Sequence, residues 1–314
     1  MSLILPTVGF IFGLTLIIKG GDLFVEAAVW IARVSGIPKV IIGATIVSLA
    51  TTLPEITVSL LAAMAGKADL AIGNAVGSVT ANLGLILGTS LLFSPLPIRR
   101  RDYACKGLLM VIAVTVLLAF SGTGSLKAGG SFLLLVIFAL SVMDSVRSAG
   151  QNRENRTLAT PLEKSEAALH LLWFALGIGG ILWGARLLVD NGSLLAIRLG
   201  VPESVIGVTL VAVGTSLPEL VTAVAALMKK EGALSVGNIL GANLIDTTLI
   251  LPLCGLISGT PLHVSLQSLL LDLPVCLLAA VITVVPTLLQ GKFSRLQGMS
   301  LLGLYLVYLV LVIA

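Results

Sequence analysis

Apolar and polar stretches alternate along this chain with a period set by the thickness of a bilayer. Apolar runs near or above the roughly 20 residues that a membrane helix needs cover approximately 3–32, 40–65, 70–94, 104–121, 127–146, 167–197, 204–228, 233–257, 265–289 and 296–314. The pattern predicts an all-α integral membrane protein with ten transmembrane helices. The widest polar interval, 147–166, holds Arg147, Arg153, Glu154, Arg156, Glu163 and Lys164 and divides the spans five and five. An N-terminal five-helix unit over 1–146, a linker over 147–166 and a C-terminal five-helix unit over 167–314 follow from that division. Because five is odd, the second unit must cross the membrane in the opposite sense to the first.

Composition agrees with a lipid solvent. The chain is 57% hydrophobic and only 11% charged, with a mean hydropathy of +1.11, whereas soluble domains carry roughly 25% charged residues. The net charge of +4 does not point to nucleic acid, since the basic residues sit in short connections and build no face that could track phosphates. Odd-numbered connections carry Arg33, Lys39, Arg99, Arg100, Arg101, Lys106, Arg147, Arg153, Arg156, Lys164, Lys229, Lys230, Lys292 and Arg295; even-numbered ones carry only Lys67, Lys127 and Arg198. Lys19 and Arg186 fall within spans one and six. This asymmetry places both termini outside and the 147–166 loop in the cytoplasm, with the inner or plasma membrane as the expected location. The first span is too long for a signal peptide and lacks a cleavage pattern, so it reads as a retained helix. Cys105, Cys254 and Cys276 have no metal-type spacing and read as small apolar residues. His170 and His263 read as interfacial side chains near helix ends.

Two stretches repeat the same motif. The first runs Gly43-Ala-Thr-Ile-Val-Ser-Leu-Ala-Thr-Thr-Leu-Pro-Glu55 and resumes at Gly73-Asn-Ala-Val-Gly-Ser-Val-Thr-Ala-Asn82; the second runs Gly207-Val-Thr-Leu-Val-Ala-Val-Gly-Thr-Ser-Leu-Pro-Glu219 and resumes at Gly237-Asn-Ile-Leu-Gly-Ala-Asn-Leu-Ile-Asp246. A constant offset of 164 relates them without a gap, and Gly20, Leu23, Val25, Gly36 and Pro38 face Gly184, Leu187, Val189, Gly200 and Pro202 at that offset. Two inverted repeats are therefore expected. An ionisable residue inside a membrane span costs about 2.5–3.5 kcal/mol on insertion scales, so a duplicated one points to function.

On a helix, Thr51 and Glu55 share a face, as do Ser78 and Asn82, and the second repeat offers Thr215, Glu219 and Asp246. Pro54 and Pro218 each lack an N–H and clash with the carbonyl four residues earlier, those of Ala50 and Gly214, so broken helices are expected at both motifs. Loosened carbonyls at membrane depth are tolerated only inside protein or along a cavity. Carboxylate, hydroxyl and carbonyl oxygens without His or Cys suit hard cations such as Ca2+. The Gly73/Gly77 and Gly237/Gly241 pairs read as close helix packing, and Asn74 and Asn238 as donors to loosened carbonyls of the neighbouring broken helix, with a ligand role as the alternative. Asp22, Glu26, Asp190 and Asp272, lacking oxygen-rich company, read as residues of helix ends or wetted vestibules.

These paired motifs resemble the two α-repeats of the cation/calcium antiporter superfamily, the sodium/calcium exchangers. The resemblance covers both repeats and implies alternating access, with Na+ moving inward as Ca2+ moves outward. It implies ligands at Thr51, Glu55, Ser78, Asn82, Thr215, Glu219 and Asp246, with main-chain carbonyls from Ser48, Ala212 and the two threonines. Where Na+-coupled exchangers usually carry Ser in the second Gly-Ser-Asn, this chain has Gly241-Ala242-Asn243. Ala242 supplies no hydroxyl.

The expected activity is thus exchange of Ca2+ for Na+ at a midplane carboxylate site on spans two, three, seven and eight, with spans one and six sliding across it. Two alternatives stand beside it: H+ in place of Na+, because Glu55 and Glu219 can take protons, and a cation channel, which fits less well because inverted halves bury one site instead of ringing a pore. No enzymatic activity is expected, for the sequence has no His-Glu-x-x-His and no nucleophile with a base. No cofactor is expected besides the transported ions; the expected partners are membrane lipid, Ca2+ and Na+, with no nucleic acid and no obligate protein.

Overall fold

The computed structural model describes residues 3–93, 100–154, 164–198 and 212–313. Its helices, in chain order, are α1 (Ile4–Ser35), α2 (Lys39–Thr51), α3 (Leu53–Met64), α4 (Ala68–Phe93), α5 (Arg100–Ser121), α6 (Ala128–Glu154), α7 (Lys164–Arg198), α8 (Ala212–Thr215), α9 (Leu217–Met228), α10 (Gly232–Ser258), α11 (Ser268–Gln290) and α12 (Arg295–Ile313). Two short strands, β1 (Ser125–Leu126) and β2 (Leu262–His263), pair antiparallel. Among the described residues, eight helices are long and apolar enough to cross a membrane, and α2 with α3 makes a ninth span bent by 49°. The first part of the apolar run at 204–228, through residue 211, lies outside the described residues, as do 94–99 and 155–163.

Two features of the polar pattern come out differently. The interval 147–166 is helical at both ends, because α6 continues to Glu154 and α7 already starts at Lys164. Backbone hydrogen bonding carries a helix past the hydrocarbon wherever charged side chains can reach water, so hydropathy undercounts its length. Lys106, taken as part of a cytoplasmic connection, instead lies within α5 at 1% exposure. Its ammonium donates to Ser145 Oγ at 2.5 Å and to the Ser141 carbonyl at 3.4 Å, with Asp144 at 3.8 Å, all on α6.

The protein has a buried centre and a peripheral pair. Helices α4 and α10 bury 72% and 78% of their apolar windows, against 22–44% for the other long helices, so they form the core of the bundle. In lipid, helices associate through close packing of small residues, and α10 does so: a Cβ at Gly237 would collide with the Val40 backbone, and one at Gly241 with Ala44 and Ser48 of α2. At Gly73 and Gly77 no described residue lies within 4 Å of such a Cβ; the positions 164 residues beyond Val40 and Ala44 fall outside the described residues.

Helices α1 and α7 pack along one another more extensively than any other pair. They run antiparallel, since Gly9 meets Asn191, Gly13 meets Gly184 and Gly20 meets Gly177. A Cβ at Gly20 would sit 2.8 Å from the Gly177 carbonyl and one at Gly184 would sit 2.7 Å from the Gly13 carbonyl, so both positions require glycine. These contacts come in matched sets: exchanging each residue for its mate at the 164 offset turns the Gly20–Gly177 contact into Gly184–Gly13.

One end of this pair is tied to the core. Lys229 pairs with Glu26 at 3.2 Å, Lys39 with Glu231, and Trp30 stacks on His170 with centroids 4.4 Å apart while its indole N–H donates to Glu166. His263 meets Asp69 at 2.9 Å. His263 is exposed, whereas His170 is half-buried between the rings of Trp30 and Trp173.

Candidate functional site

The geometry of both repeated motifs is set at one residue each. Thr52 (φ −81°, ψ 1°) separates α2 from α3, and Ser216 (φ −86°, ψ 5°) separates α8 from α9. Proline follows two residues later in both, within the first turn of the new helix, where its missing N–H costs nothing. Glu55 and Glu219 therefore sit in the first turn of α3 and α9, and both are 1% exposed.

The central helices bring the second half of each motif to the same place. Ser78, Asn82 and Asp246 are 3%, 1% and 0% exposed. Asn82 opens a π-helical turn, Asn82–Leu87, and Asp246 opens another, Asp246–Ile250. Such turns loosen the regular ladder and occur often at functional sites; here they occupy repeat-equivalent positions. A third π-helical turn, Gly43–Val47, leads into Ser48 and Thr51, which are both fully buried. Thr215 is also buried; Ala212 begins α8, and its side chain lies outside the described set.

Glu55 interacts electrostatically with Glu219 and Asp246, and Asp246 with Glu219, so three acids from opposite halves of the chain share one region. No group of three or more His, Cys, Asp and Glu among the described residues converges tightly enough to hold one ion by itself. A cation here must draw on hydroxyl, amide or carbonyl oxygens as well. Those are present. Both Glu55 oxygens, both Asp246 oxygens, Glu219 Oε2 and Asn82 Oδ1 are buried without a hydrogen-bond donor. Leaving a buried polar group unsatisfied costs about 1–3 kcal/mol each, and more when charged. Donor-free oxygens on three mutually interacting acids, with that of Asn82 on the same central helices, are the chemistry of a site for a positive ligand.

Several neighbours fix their orientation. Thr52 Oγ1 donates to Glu219 Oε1 at 3.2 Å across the repeats, while its counterpart Ser216 approaches Glu55 without reaching hydrogen-bond geometry. Asn82 Nδ2 donates to Asn243 Oδ1 at 3.0 Å, which leaves Asn82 Oδ1 turned away from that contact. Thr51 Oγ1 donates to Asn238 Oδ1 at 3.1 Å and lies 3.3 Å from the Ser48 carbonyl. Asn74 donates to Ser59 Oγ at 2.9 Å and to the Glu55 carbonyl at 3.4 Å. Asn74 thus bonds a carbonyl of the broken helix, that of Glu55 in the first turn after the break and not that of Ala50, whereas Asn238 accepts from Thr51. Both choices follow from helix packing across the motif, which spacing within one helix does not reveal. Thr52, Ser216 and Asn243 were not expected among the site residues, although each lies within a repeated motif and carries a hydrogen-bonding side chain.

The remaining acids divide. Glu26 and Asp190 are exposed within α1 and α7, two turns before their C-terminal ends, and paired with Lys229 and Arg186, and Asp22 is half-buried in α1. Asp272 departs from the expected vestibule: it is 6% exposed and accepts from Ser268 Oγ at 2.8 Å and from the Tyr308 hydroxyl at 3.1 Å. One partner is four residues earlier and the other is on α12, so the company it lacked in sequence comes from the fold.

A helical membrane protein with a buried, oxygen-lined cluster of carboxylates at two broken-helix motifs is a cation-handling protein by class. The sequence profile described as sodium/calcium exchanger protein matches residues 5–146 and 169–314. The chain belongs to the sodium/calcium exchanger family. It is 37% identical to the inner membrane protein YrbG of Escherichia coli, over 89% of this chain and 88% of that one. It is 30% identical to the sodium/calcium exchanger MaX1 of Methanosarcina acetivorans, over 95% of both. Among solved structures, the sodium-calcium exchanger NCX_Mj soaked with Na+ and Sr2+ superposes with a TM-score of 0.85 at 29% identity, over 98% of this chain and 99% of that chain.

Proposed function

We propose that this protein is a secondary active antiporter that exchanges Ca2+ for Na+ by alternating access, built as two inverted five-helix repeats with ten spans. The observation that carries the reading is the set of buried, donor-free oxygens on Glu55, Glu219, Asp246 and Asn82. Glu55 and Glu219 neutralise Ca2+, aided by the carbonyls of Thr51 and Thr215. Na+ ions use the flanking oxygens of Ser48 and Ala212 carbonyls, Ser78, Asn82 and Asp246, with the hydroxyls of Thr52 and Ser216 as further ligands. With no cation bound, the acids repel and lie desolvated, which disfavours moving the empty site across the membrane. Occupied states lack that penalty, and this difference couples the two ions.

Helices α1 and α7 are the moving element in this reading. Their mutual glycine seam and high lipid exposure favour sliding as a unit past the central helices. A mainly apolar cavity of about 410 Å³, lined among others by Leu53, Val58, Leu182, Val189 and Pro218, separates α7 from the two motifs and leaves room for that movement. The positive-inside bias puts both termini outside and 147–166 in the cytoplasm.

A second reading replaces Na+ by H+. Ala242, fully buried on α10 where Ser78 stands in the other repeat, removes one hydroxyl from the Na+ ligands, whereas protons need none. Radioactive Ca2+ uptake into vesicles under imposed gradients decides between them. Uptake driven by an outward Na+ gradient at equal pH is expected; uptake that follows only a pH gradient would establish the second reading, and uncoupled conductance would overturn both.

A further inference from the structure

Asn82 on α4 and Asp246 on α10 occupy the same place in the two halves, each opening a π-helical turn. The turn that Asn82 opens packs on α9, which carries Glu219, and the turn that Asp246 opens packs on α3, which carries Glu55. The two side chains nevertheless differ in one respect. A carboxylate has two equivalent oxygens, so either flip offers an acceptor to a cation. An amide has an oxygen at one end and two N–H donors at the other, so only one flip does. A neighbour must choose it.

The choice is made by a relay of three side chains on three helices. Asn82 Nδ2 donates to Asn243 Oδ1 at 3.0 Å, and Asn243 Nδ2 donates to Met110 Sδ on α5 at 3.6 Å. A thioether sulfur accepts weakly and never donates, so only the amino end of Asn243 gains by facing it. That turns the Asn243 oxygen towards Asn82, where it gains only from the Asn82 amino group. Asn82 Oδ1 is thereby left buried and without a donor. All three side chains are almost wholly buried, where an unmet donor or acceptor is most costly. The other half has no such relay: at the 164 offset the mate of Asn243 is Val79, buried and without a polar side-chain atom. Asp246, with two equivalent oxygens, needs no orienting partner.

We propose that Asn243, polarised by Met110, is the positioning residue that holds the Asn82 amide with its oxygen towards the cation site, and so sets how strongly that site takes Na+ relative to Ca2+. The second clause rests on the exchange reading above, in which Na+ draws on Asn82 while the two glutamates neutralise Ca2+; the first clause does not. Reversal of the amide would present N–H donors to the cation.

Nuclear magnetic resonance on the purified protein, labelled with 15N at asparagine, reads the orientation directly. The Asn82 side-chain resonances, recognised by their loss in Asn82→Asp, are expected to move in Asn243→Val and, by less, in Met110→Leu, which conserves volume and removes the acceptor. Asn82 resonances unmoved in both variants would overturn the relay. Displacement of bound radioactive Ca2+ by Na+ gives a second readout that needs no transport. Asn243→Val should weaken displacement by Na+ about tenfold and Ca2+ affinity by less than about threefold. In the Asn82→Asp background the same substitution should cause no loss, because a carboxylate needs no orienting. An equal loss in both backgrounds would make Asn243 a packing residue only and overturn the proposal. Met110→Leu carries both readouts if Asn243→Val does not fold. Bound Ca2+ that Na+ fails to displace from the unsubstituted protein would instead defeat the exchange reading and leave the resonance assignment standing.

Discussion

The two halves of the candidate site share a backbone design and differ in chemistry. Both break a helix one residue before Leu-Pro-Glu, and both open a π-helical turn at the last residue of the second motif. Yet Glu55 has no donor on either oxygen, whereas Glu219 accepts from Thr52. Asn82 in the first half stands against Asp246 in the second, and Ser78 against Ala242. Duplication thus fixes where oxygens can stand; the departures from it fix how much charge stands there and which ions balance it.

The largest test removes what the halves share. Glu55→Gln and Glu219→Gln are each expected to reduce Ca2+ exchange a hundredfold or more, since losing one partner of a buried charge pair costs about 3–5 kcal/mol. Radioactive Ca2+ flux in vesicles, with insertion checked by protein yield in the membrane, measures this. Near-normal flux in either variant would mean that the two glutamates do not serve one site.

The next test equalises the halves in charge. Two ionised glutamates already balance one Ca2+, so an ionised Asp246 would leave the loaded site with an uncompensated charge in a poorly solvated place. Asp246 is therefore expected to carry a proton while Ca2+ is bound, when it resembles Asn82 in shape. Asp246→Asn should keep Ca2+/Ca2+ exchange within a few-fold, while changing the charge moved per Na+-coupled cycle. Paired flux and current recordings between about pH 6 and pH 9 check it; loss of Ca2+/Ca2+ exchange at every pH would make Asp246 an obligatory charged ligand.

Much of this architecture was legible in the chain, for a definite reason. A bilayer imposes one length scale on every span, so apolar runs give most of the described helices to within a few residues, α6 with its eight further residues excepted, and a gapless repeat aligns Glu55 with Glu219 without any structure. What the chain did not reveal depends on contacts between helices. The Thr52–Glu219 and Asn82–Asn243 bonds join residues 167 and 161 positions apart, and no periodicity encodes such pairs. Lys106 and Asp272 were misplaced for the same cause: hydropathy sees a charge and assigns it to water, whereas the fold supplies Ser141, Ser145 and Asp144 to the one and Ser268 and Tyr308 to the other. The spacing of Ser268 and Asp272, four apart on a helix, was the one available hint.

A smaller test restores a hydroxyl to the second half. Ala242→Ser is expected to raise apparent Na+ affinity about threefold to tenfold, the value of one added polar contact of about 0.5–1.5 kcal/mol, with little change for Ca2+. Ser78 occupies the equivalent place on α4, so the helix tolerates the side chain. A Na+ titration identical to that of the unsubstituted protein would show that position 242 does not limit coupling.

The smallest effect concerns a turn at which the halves differ away from the site. The connection between α3 and α4 turns through Gly66 at φ 72°, and the equivalent connection between α9 and α10 turns through Lys230 at φ 59°, the only non-glycine residue with positive φ among the described residues. A side chain in this left-handed region costs about 1–2 kcal/mol, part of which glycine returns through its freer unfolded chain. The adjoining Lys229 and Glu231 pair with Glu26 and Lys39, so the turn is held in place from both sides whatever stands at its centre. Lys230→Gly should therefore stabilise the protein by about 1 kcal/mol, seen as a modest rise in the thermal midpoint in detergent, with transport unaltered. A lowered midpoint would mean that the Lys230 side chain makes a contribution larger than the strain its backbone carries.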